Sequence, residues 1–378
     1  MSSQPSKCMV IIPTLNEADN IERLITEVFL TLKNKNAYIV DVLIADGGST
    51  DSTLIQVEKL KKINPKHLYI VKIKKRGLGL AYIQSFKYSL RRSYDTFVMM
   101  DADFSHDPSH IPSLLKKIDD GYDYVIGSRY IKGGITRKRT VKSYLANAFA
   151  KLMLDLKGDI QDMTGGFKAI RVSALKTVNL DAIKASGFVF QVNLLHDFSK
   201  QGYKIAEVPI TFKNRKSGRS KMRLSDVLEF IYLTYRLNPN SRVRRLIRFC
   251  LVGASGVMVN LAVLVLLVQV FSVNPPIAYA VALEVSIISN FCLNHLYTFR
   301  AAITSPKSQR HDSIPTLFNK LIRYNLITLG GAAISFAVFY LFYKLGLHYI
   351  PSDLIAIIAA TAWNYYMSVK IVWKLVDE

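Results

Sequence analysis

Phe97-Val98-Met99-Met100-Asp101-Ala102-Asp103-Phe104-Ser105-His106-Asp107-Pro108 decides how the first half of this chain is read. The apolar run from Phe97 to Met100 is expected to be the end of a buried strand. It delivers two carboxylates, Asp101 and Asp103, at i and i+2, and on a continuing strand both lean to one face. That spacing suits a hard divalent cation held by one or two carboxylates while it also holds a diphosphate. Alone, an Asp-x-Asp closed by Asp107-Pro108 is equally a polar exit from strand to turn. The surrounding chain has to choose between the two.

Upstream, Cys8–Ile12 is a short β-rich run stopped by Pro13, followed by Thr14, Asn16 and Glu17. Ile21, Leu24, Ile25 and Val28 then recur at i, i+3, i+4 and i+7, which predicts an amphipathic helix over 20–32. Ile39–Ala45 is the next strand and exits into Asp46-Gly47-Gly48-Ser49-Thr50-Asp51, with a helix through Leu60. A third strand over 68–73, a helix near 81–93 and the Phe97–Met100 strand continue the alternation. Strands alternating with helices mean a mostly parallel α/β sheet, and in such sheets ligands sit beyond the carboxyl ends of the strands. Asp46 and the Asp101/Asp103 pair both fall there, so one cleft can hold them; Asp46 is placed to accept a hydrogen bond from a base or ribose. Further on come a strand at 124–126 ending in Gly127-Ser128-Arg129-Tyr130, a helix over 143–156, a glycine turn over 162–167, a helix starting at 188 and a strand over 205–212. Two basic stretches, with Arg137, Lys138, Arg139 and Lys142 and with Arg215, Arg219, Lys221 and Arg223, supply cations.

The chain has 378 residues, 50 basic and 28 acidic, a net charge of +22. Only 9 of the basic and 5 of the acidic residues lie in 247–378, so the surplus belongs to the first half and calls for anionic partners. Cys8, Cys250 and Cys292 are scattered and suggest neither a disulfide framework nor a metal-ligand spacing. The N-terminus has no basic-then-apolar signal peptide. From Leu224 the character changes. A segment over 224–246 is amphipathic and then basic (Arg242, Arg244, Arg245), as expected of a helix lying on a membrane and a juxtamembrane collar. Apolar segments over about 247–271, 277–299, 321–345 and 354–373 each reach the ~20 residues that span a bilayer. The loop between the second and third carries Arg300, Lys307, Arg310, Lys320 and Arg323, and the other links are nearly uncharged, which puts both termini and the catalytic half in the cytoplasm of a cell membrane. Glu284, inside a span, calls for a role or a partner that the sequence does not name.

The ordered motifs Ile12-Pro13-Thr14-Leu15-Asn16-Glu17, Asp46-Gly47-Gly48-Ser49-Thr50-Asp51, Gly77-Leu78-Gly79, Asp101-Ala102-Asp103, Gly127-Ser128-Arg129-Tyr130, Gly165-Gly166-Phe167, Phe190-Gln191 and Glu207-Val208-Pro209-Ile210 resemble family-2 glycosyltransferases of the GT-A fold. Within them they resemble the dolichyl-phosphate mannose synthases. The tail, with Arg248-Phe249, Asn260, Ser289-Asn290-Phe291 and Thr298-Phe299, looks like a GtrA-type four-span domain. The resemblance implies a GT-A domain over 1–223, an interface segment over 224–246 and a transmembrane domain over 247–378. It further implies a nucleotide-sugar site of Pro13, Leu15, Glu17, Ala45, Asp46, Gly47, Asp101, Ala102, Asp103, Arg129, Arg215 and Lys221. A Mg2+ or Mn2+ ion would take Asp103, Asp101 and Ser105, and the lipid phosphate Arg129, Arg139, Ser143 and Arg215, with Asp101, Asp103 and Arg129 the catalytic residues. The implied reaction is inverting transfer of mannose from GDP-mannose, or of another sugar from its nucleotide, to dolichyl or polyprenyl phosphate at a bilayer, with no nucleic acid involved. The alternatives are glucosyl transfer from UDP-glucose and, in a different class, a lipid-linked sugar transporter or scaffold.

Overall fold

The computed structural model describes residues 5–33, 37–73, 77–136, 141–154, 156, 159–183, 187, 189–212, 224–238, 241–300 and 313–375. They form two compact units, Met1–Pro239 and Asn240–Glu378.

The first unit is built on β1 (Ser6–Thr14), in which Cys8, Met9, Val10, Ile11 and Ile12 have no exposure. A run this apolar fits only a strand covered on both faces. Met9 and Ile11 enter one core and Cys8, Val10 and Ile12 the other, as the two-residue period requires. β2 (Tyr38–Asp46), β3 (Leu68–Lys72) and β4 (Thr96–Met99) join it in parallel, and β5 (Tyr124–Ser128) pairs in parallel with β8 (Ile205–Pro209). The sheet has the order β3-β2-β1-β4-β7-β5-β8, with β6 (Ile135–Thr136) outside it and β7 (Lys168–Arg171) antiparallel between β4 and β5. Helices α1 (Ile21–Lys33), α2 (Thr53–Ile63) and α4 (Ile111–Asp119) cover one face. Helices α3 (Leu78–Ser89), α5 (Val141–Leu154), α6 (Val172–Leu175) and α7 (Val189–Lys200) cover the other. This is the mostly parallel GT-A arrangement expected from the motifs.

Three details differ from the sequence reading. The chain after the glycine turn forms β7, a central strand that opens on a lysine. The 205–212 strand breaks at Ile210, and its end, β9 (Thr211–Phe212), leaves the sheet to pair with β6. Strand β4 stops at Met99, so Asp101 and Asp103 lie on a bend beyond it and not on one face of a continuing strand.

Helix α8 (Leu224–Leu237) belongs to the first unit: Phe230, Leu233 and Leu237 pack on its core, and the Phe149 and Phe230 rings lie 6.2 Å apart. The basic collar is continuous with the first span, forming the opening turns of α9 (Arg242–Val265), which Ser241 caps through the Arg244 N–H at 3.2 Å.

The second unit continues with α10 (Pro275–Leu293), α11 (Ile314–Lys344) and α12 (Tyr349–Met367). With their terminal turns the four helices run over Arg242–Val270, Pro275–Thr298, Ile314–Lys344 and Tyr349–Val372, each long and apolar enough to cross a membrane. They form two copies of one hairpin. Residues of α10 recur in α12 after 74 positions: Asn274 and His348 precede the two helices, Ala282 and Ala356 are fully buried, and Asn294–Thr298 and Ser368–Val372 are both wide turns. In those turns Phe299 N–H bonds Asn294 O at 2.9 Å and Trp373 N–H bonds Ser368 O at 3.0 Å. The loops match as well, with positive φ at Ser272 (52°) and Gly346 (86°). Residues of α9 recur in α11 after 75: Phe249 and Tyr324 are buried, and Gly256 and Gly331 each abut an asparagine of the next helix, Asn290 and Asn364. A Cβ at either glycine would overlap that amide. The Phe299 and Trp373 rings, equivalent in the two copies, stack at 4.1 Å.

Because a side chain at either glycine has to displace a buried amide, Gly256→Leu and Gly331→Leu should each destabilise the membrane unit by about 1–3 kcal/mol, the usual cost of overpacking. Gly253, with nothing within 4 Å of its Cβ position, is the control, and Gly253→Ala should be neutral. Thermal unfolding in detergent would check this; unequal losses at Gly256 and Gly331 would count against the equivalence of the hairpins.

Candidate active site

The loops that follow β1 and β2 are laced together. Gly47 N–H donates to Thr14 O (2.9 Å), Asn16 N–H to Ser49 Oγ (2.9 Å), Thr50 N–H to Asn16 Oδ1 (2.8 Å) and Glu17 N–H to Thr53 Oγ1 (2.9 Å). Glu17 also accepts from Asn20 Nδ2 at 3.2 Å, which ties it to the start of α1. Pro13, Leu15, Glu17 and Gly47 are partly exposed on this rim, and Ala45 is buried just behind it. Asp46 was expected to face a base or ribose. It is instead 1% exposed, and its carboxylate accepts from Gly48 N–H (2.9 Å), Ser49 N–H (3.0 Å) and Ser49 Oγ (2.5 Å). Its acceptors are consumed in shaping the turn, the habit of an Asp that bonds its own backbone two residues on.

Beyond β4, the Asp101 N–H donates to His106 Nδ1 at 3.0 Å, and Ser105 N–H donates to Asp103 Oδ1 at 3.0 Å. Between them Phe104 adopts φ 59°, a region that non-glycine residues rarely enter, and here two side-chain bonds hold it. His106 is buried, with its ring stacked on Phe167 at 5.0 Å. Burial holds its pKa below the ordinary histidine value, outweighing the Asp101 and Asp103 charges. Neutral, and accepting at Nδ1, it carries its proton on Nε2. His106 is thus the post that fixes the Asp101 backbone.

Asp103, Ala102 and Ser105 are buried, and the Asp101 side chain is about one-third exposed (32%). Gly166 faces this bend: a Cβ there would lie 3.2 Å from His106 Cε1 and 3.8 Å from Asp101 Oδ2. The space it leaves sits beside the exposed edge of Asp101. Among the described residues no group of three His, Cys, Asp or Glu side chains can hold a metal. Two hard carboxylates beside an open edge fit a divalent cation that takes its remaining oxygens from a diphosphate and water.

Arg129, at the end of β5, is bound to a partner the sequence did not reveal. Its Nε and Nη2 donate to Asp162 Oδ2 and Oδ1, both at 2.8 Å, its N–H to Oδ2 at 3.1 Å, and Nη2 also to Thr164 Oγ1 at 3.0 Å. The Asp162 side chain has no exposure. Burial works to discharge Arg129, but the Asp162 hydrogen bonds and charge outweigh it and raise its pKa above the ordinary value. Glu207 on β8 in turn accepts from Gln161 N–H and Asp162 N–H, both at 2.8 Å, and Asn147 Oδ1 from Met163 N–H at 2.7 Å. Ser143 lies 3.0 Å from the Tyr130 hydroxyl. Arg129 is therefore a fixed cation with part of its fork already engaged. Arg139, Arg215 and Lys221 lie outside the described residues. Asp162 had no local signal, because it meets Arg129 across 33 residues of chain.

Lys168, the first residue of β7, is wholly buried, its Nζ 2.8 Å from Gln191 Oε1 and 3.1 Å from Gln191 O. Burial pushes its pKa down from 10.5 to about 7, against the pull of Asp162.

A sheet of this topology with paired carboxylates beyond its central strands, carried with four membrane-length helices, defines a membrane-embedded glycosyltransferase. Residues 9–178 match glycosyl transferase family 2, and residues 248–373 match the GtrA/DPMS transmembrane domain. The dolichol-phosphate mannosyltransferase of Pyrococcus furiosus is 33% identical over 97% of this chain and 99% of its own. The polyprenol monophosphomannose synthase of Mycolicibacterium smegmatis is 36% identical over 63% of this chain and 89% of its own. A glucosyl-3-phosphoglycerate synthase of Mycobacterium tuberculosis, solved with Mn2+, UDP and glucosyl-3-phosphoglycerate, is 20% identical, with a TM-score of 0.46 over 61% of this chain and 78% of that one. The chain belongs to glycosyl transferase family 2, in the group of the dolichol-phosphate mannosyltransferases that carry a GtrA/DPMS transmembrane domain.

Two outcomes follow from the buried charges. Asp162→Ala strands the Arg129 guanidinium and should destabilise the first unit by about 3–5 kcal/mol, as breaking a buried pair does; unfolding of the full chain in detergent measures it. Lys168 titrates near 10.5 unfolded and about 7 folded, so between those values the unfolded chain holds the extra proton. Its contribution to stability is complete above 10.5 and is lost as pH falls through about 7. The unfolding midpoint of Lys168→Met relative to the parent should therefore fall steadily as pH rises from 7 towards 10. A difference that stays flat with pH would mean an ordinarily charged lysine.

Proposed function

We propose that this chain transfers mannose from GDP-mannose to the phosphate of a polyprenol such as dolichol, with inversion at the anomeric carbon. The observation that carries the reading is the pair Asp101 and Asp103 at the mouth of a central strand, in a chain that also supplies its own membrane spans. A reaction joining a soluble diphosphate donor to a lipid acceptor uses both. The mannosyl and polyprenol assignments are supported by the names of relatives that match along the chain.

Asp103 and Asp101 would hold a Mg2+ or Mn2+ ion with the donor diphosphate, and the ion when bound would neutralise charge developing on the leaving nucleotide. Asp103 Oδ1, fixed by the Ser105 N–H, sets the carboxylate direction, and His106 holds the Asp101 backbone against it. The rim of Pro13, Leu15, Glu17, Ala45 and Gly47 would take the nucleoside. Arg129, held charged by Asp162, would offer its remaining donors to phosphate. Arg139, Arg215 and Lys221 would complete the cationic side, with the Ser143 hydroxyl as a neutral donor to the lipid phosphate. A phosphate monoester is already largely ionised near neutrality, with a second pKa of about 6, so the acceptor needs no protein base. Arginines in the opening turns of the first span work against the helix dipole, a placement better suited to anionic headgroups at a cytoplasmic surface. In that orientation both termini and the catalytic unit lie in the cytoplasm.

Purified protein offered GDP-mannose, UDP-glucose and UDP-GlcNAc with dolichyl phosphate should consume only the first. Use of UDP-glucose alone would replace mannose by glucose, and no lipid-dependent release of nucleotide from any of the three would remove the enzymatic reading of the acceptor. Asp103→Ala should lower turnover by at least a hundredfold while the chain still folds, at a stability cost of about 1–3 kcal/mol because the buried Ser105 N–H loses its acceptor. Unchanged activity of that variant in excess chelator would end the metal assignment.

A further inference from the structure

The pairing of the two hairpins exposes one seam that their repeat does not explain. Glu284 is the tenth residue of α10, and both of its carboxylate oxygens accept from one amide nitrogen, Asn325 Nδ2 on α11, at 2.7 and 3.0 Å. Glu284 is exposed on the outer surface of the membrane unit. A carboxylate offers about four acceptor sites, and in hydrocarbon no water meets those the amide leaves.

The other seam between the hairpins, α9 against α12, supplies the comparison. The positions equivalent to Glu284 and Asn325, reached by the shifts of 74 and 75, are Ile358 and Cys250, both exposed and both apolar in character. The counterpart positions on the other seam thus carry no polar pair. The hairpin repeat therefore does not account for Glu284, and a partner outside the single unit would.

The surroundings of the pair identify that partner's form. On α10, Ile277, Val281 and Ile288 stand at −7, −3 and +4 from Glu284, and all are exposed. On α11, Phe318, Ile322 and Leu329 stand at −7, −3 and +4 from Asn325, and all are exposed. Each stripe has the spacing of a helix-packing seam with one polar residue inside it, the device that sets register between packed helices. The seam is also self-complementary. It holds one acceptor-only group and one amide with two hydrogens, side by side. A twofold axis along the membrane normal sets the Asn325 of one copy against the Glu284 of the other, giving each carboxylate a second donor with no other chemistry required.

We propose that the exposed α10–α11 seam, centred on Glu284 and Asn325, is the surface through which two copies of this chain pair in the bilayer. A foreign membrane helix or lipid on this face is the competing outcome, and the test separates them.

The test uses the full chain in membranes, with Cys250→Ala and Cys292→Ala removing the exposed thiols. Single cysteines are introduced as Val281→Cys, Ile288→Cys or Leu329→Cys, with Ile358→Cys as the control on the equivalent apolar seam. Oxidation should convert the first three to disulfide-linked dimers and leave the control monomeric. In detergent, sedimentation should find a dimer for the parent. Glu284→Leu with Asn325→Leu should raise its dissociation constant at least tenfold while glycosyl transfer per chain and the unfolding midpoint are retained. Glu284→Gln, which keeps shape and hydrogen bonding, should lie between. Cross-linking no greater than the Ile358→Cys control, or a parent that sediments as a monomer throughout, would overturn the proposal. So would a leucine double variant as dimeric as the parent.

Discussion

The Asp162 carboxylate, buried without exposure between β5 and β7, is the constraint on which the catalytic unit depends. A buried charge persists only if it is paired and hydrogen-bonded. Arg129 supplies three of those bonds, and Glu207 fixes the backbone from which Asp162 projects. The same glycine turn then places Gly166 against Asp101 and feeds β7 into the sheet. The ion pair fixes the turn at the Arg129 side of the site, and the pairing of β7 with β4 and β5 sets the spacing between that side and the Asp101 bend.

A division of labour among acidic residues follows. Asp46 and Asp162 have their oxygens engaged by donors of the protein itself, so they shape loops. Asp101 keeps an exposed edge, and its backbone rather than its carboxylate is the part that His106 secures. Asp103 is held from one oxygen by the Ser105 N–H in a turn strained at Phe104. Strain of this kind persists only where neighbours over-determine it, and the turn that carries Asp101 and Asp103 is such a place.

The membrane unit obeys a different constraint. Polar groups are few and placed between helices: Asn290 and Asn364 are pressed against glycines of a neighbouring helix, and Asn294 Nδ2 donates to the Tyr324 hydroxyl at 3.2 Å. Doing this twice, 74 or 75 residues apart, yields two hairpins whose wide terminal turns meet at the Phe299–Trp373 stack.

The sequence by itself determined the alternation of strands and helices, the four long apolar segments and the Asp101/Asp103 pair. Each of these is a local pattern: a period of two or 3.6, a length, or a spacing of two. It did not reveal β7, because Lys168-Ala169-Ile170-Arg171 is short and begins with a charge that only a fully enclosed site pairs with Gln191. A carboxylate before Gly-Gly-Ser looks the same whether it faces a ligand or its own turn, and only the folded chain shows Asp46 accepting from the Gly48 and Ser49 N–H groups. The Arg129–Asp162 pair, the His106 post and the Glu284–Asn325 seam join residues 33, 5 and 41 positions apart. Even the shortest of these depends on a positive φ at Phe104 that no periodicity encodes. The hairpin repeat was hidden for a similar reason. Its copies share burial, caps and turn geometry more than residue identity, and these are properties of packed helices that the order of amino acids carries only once the helices have met.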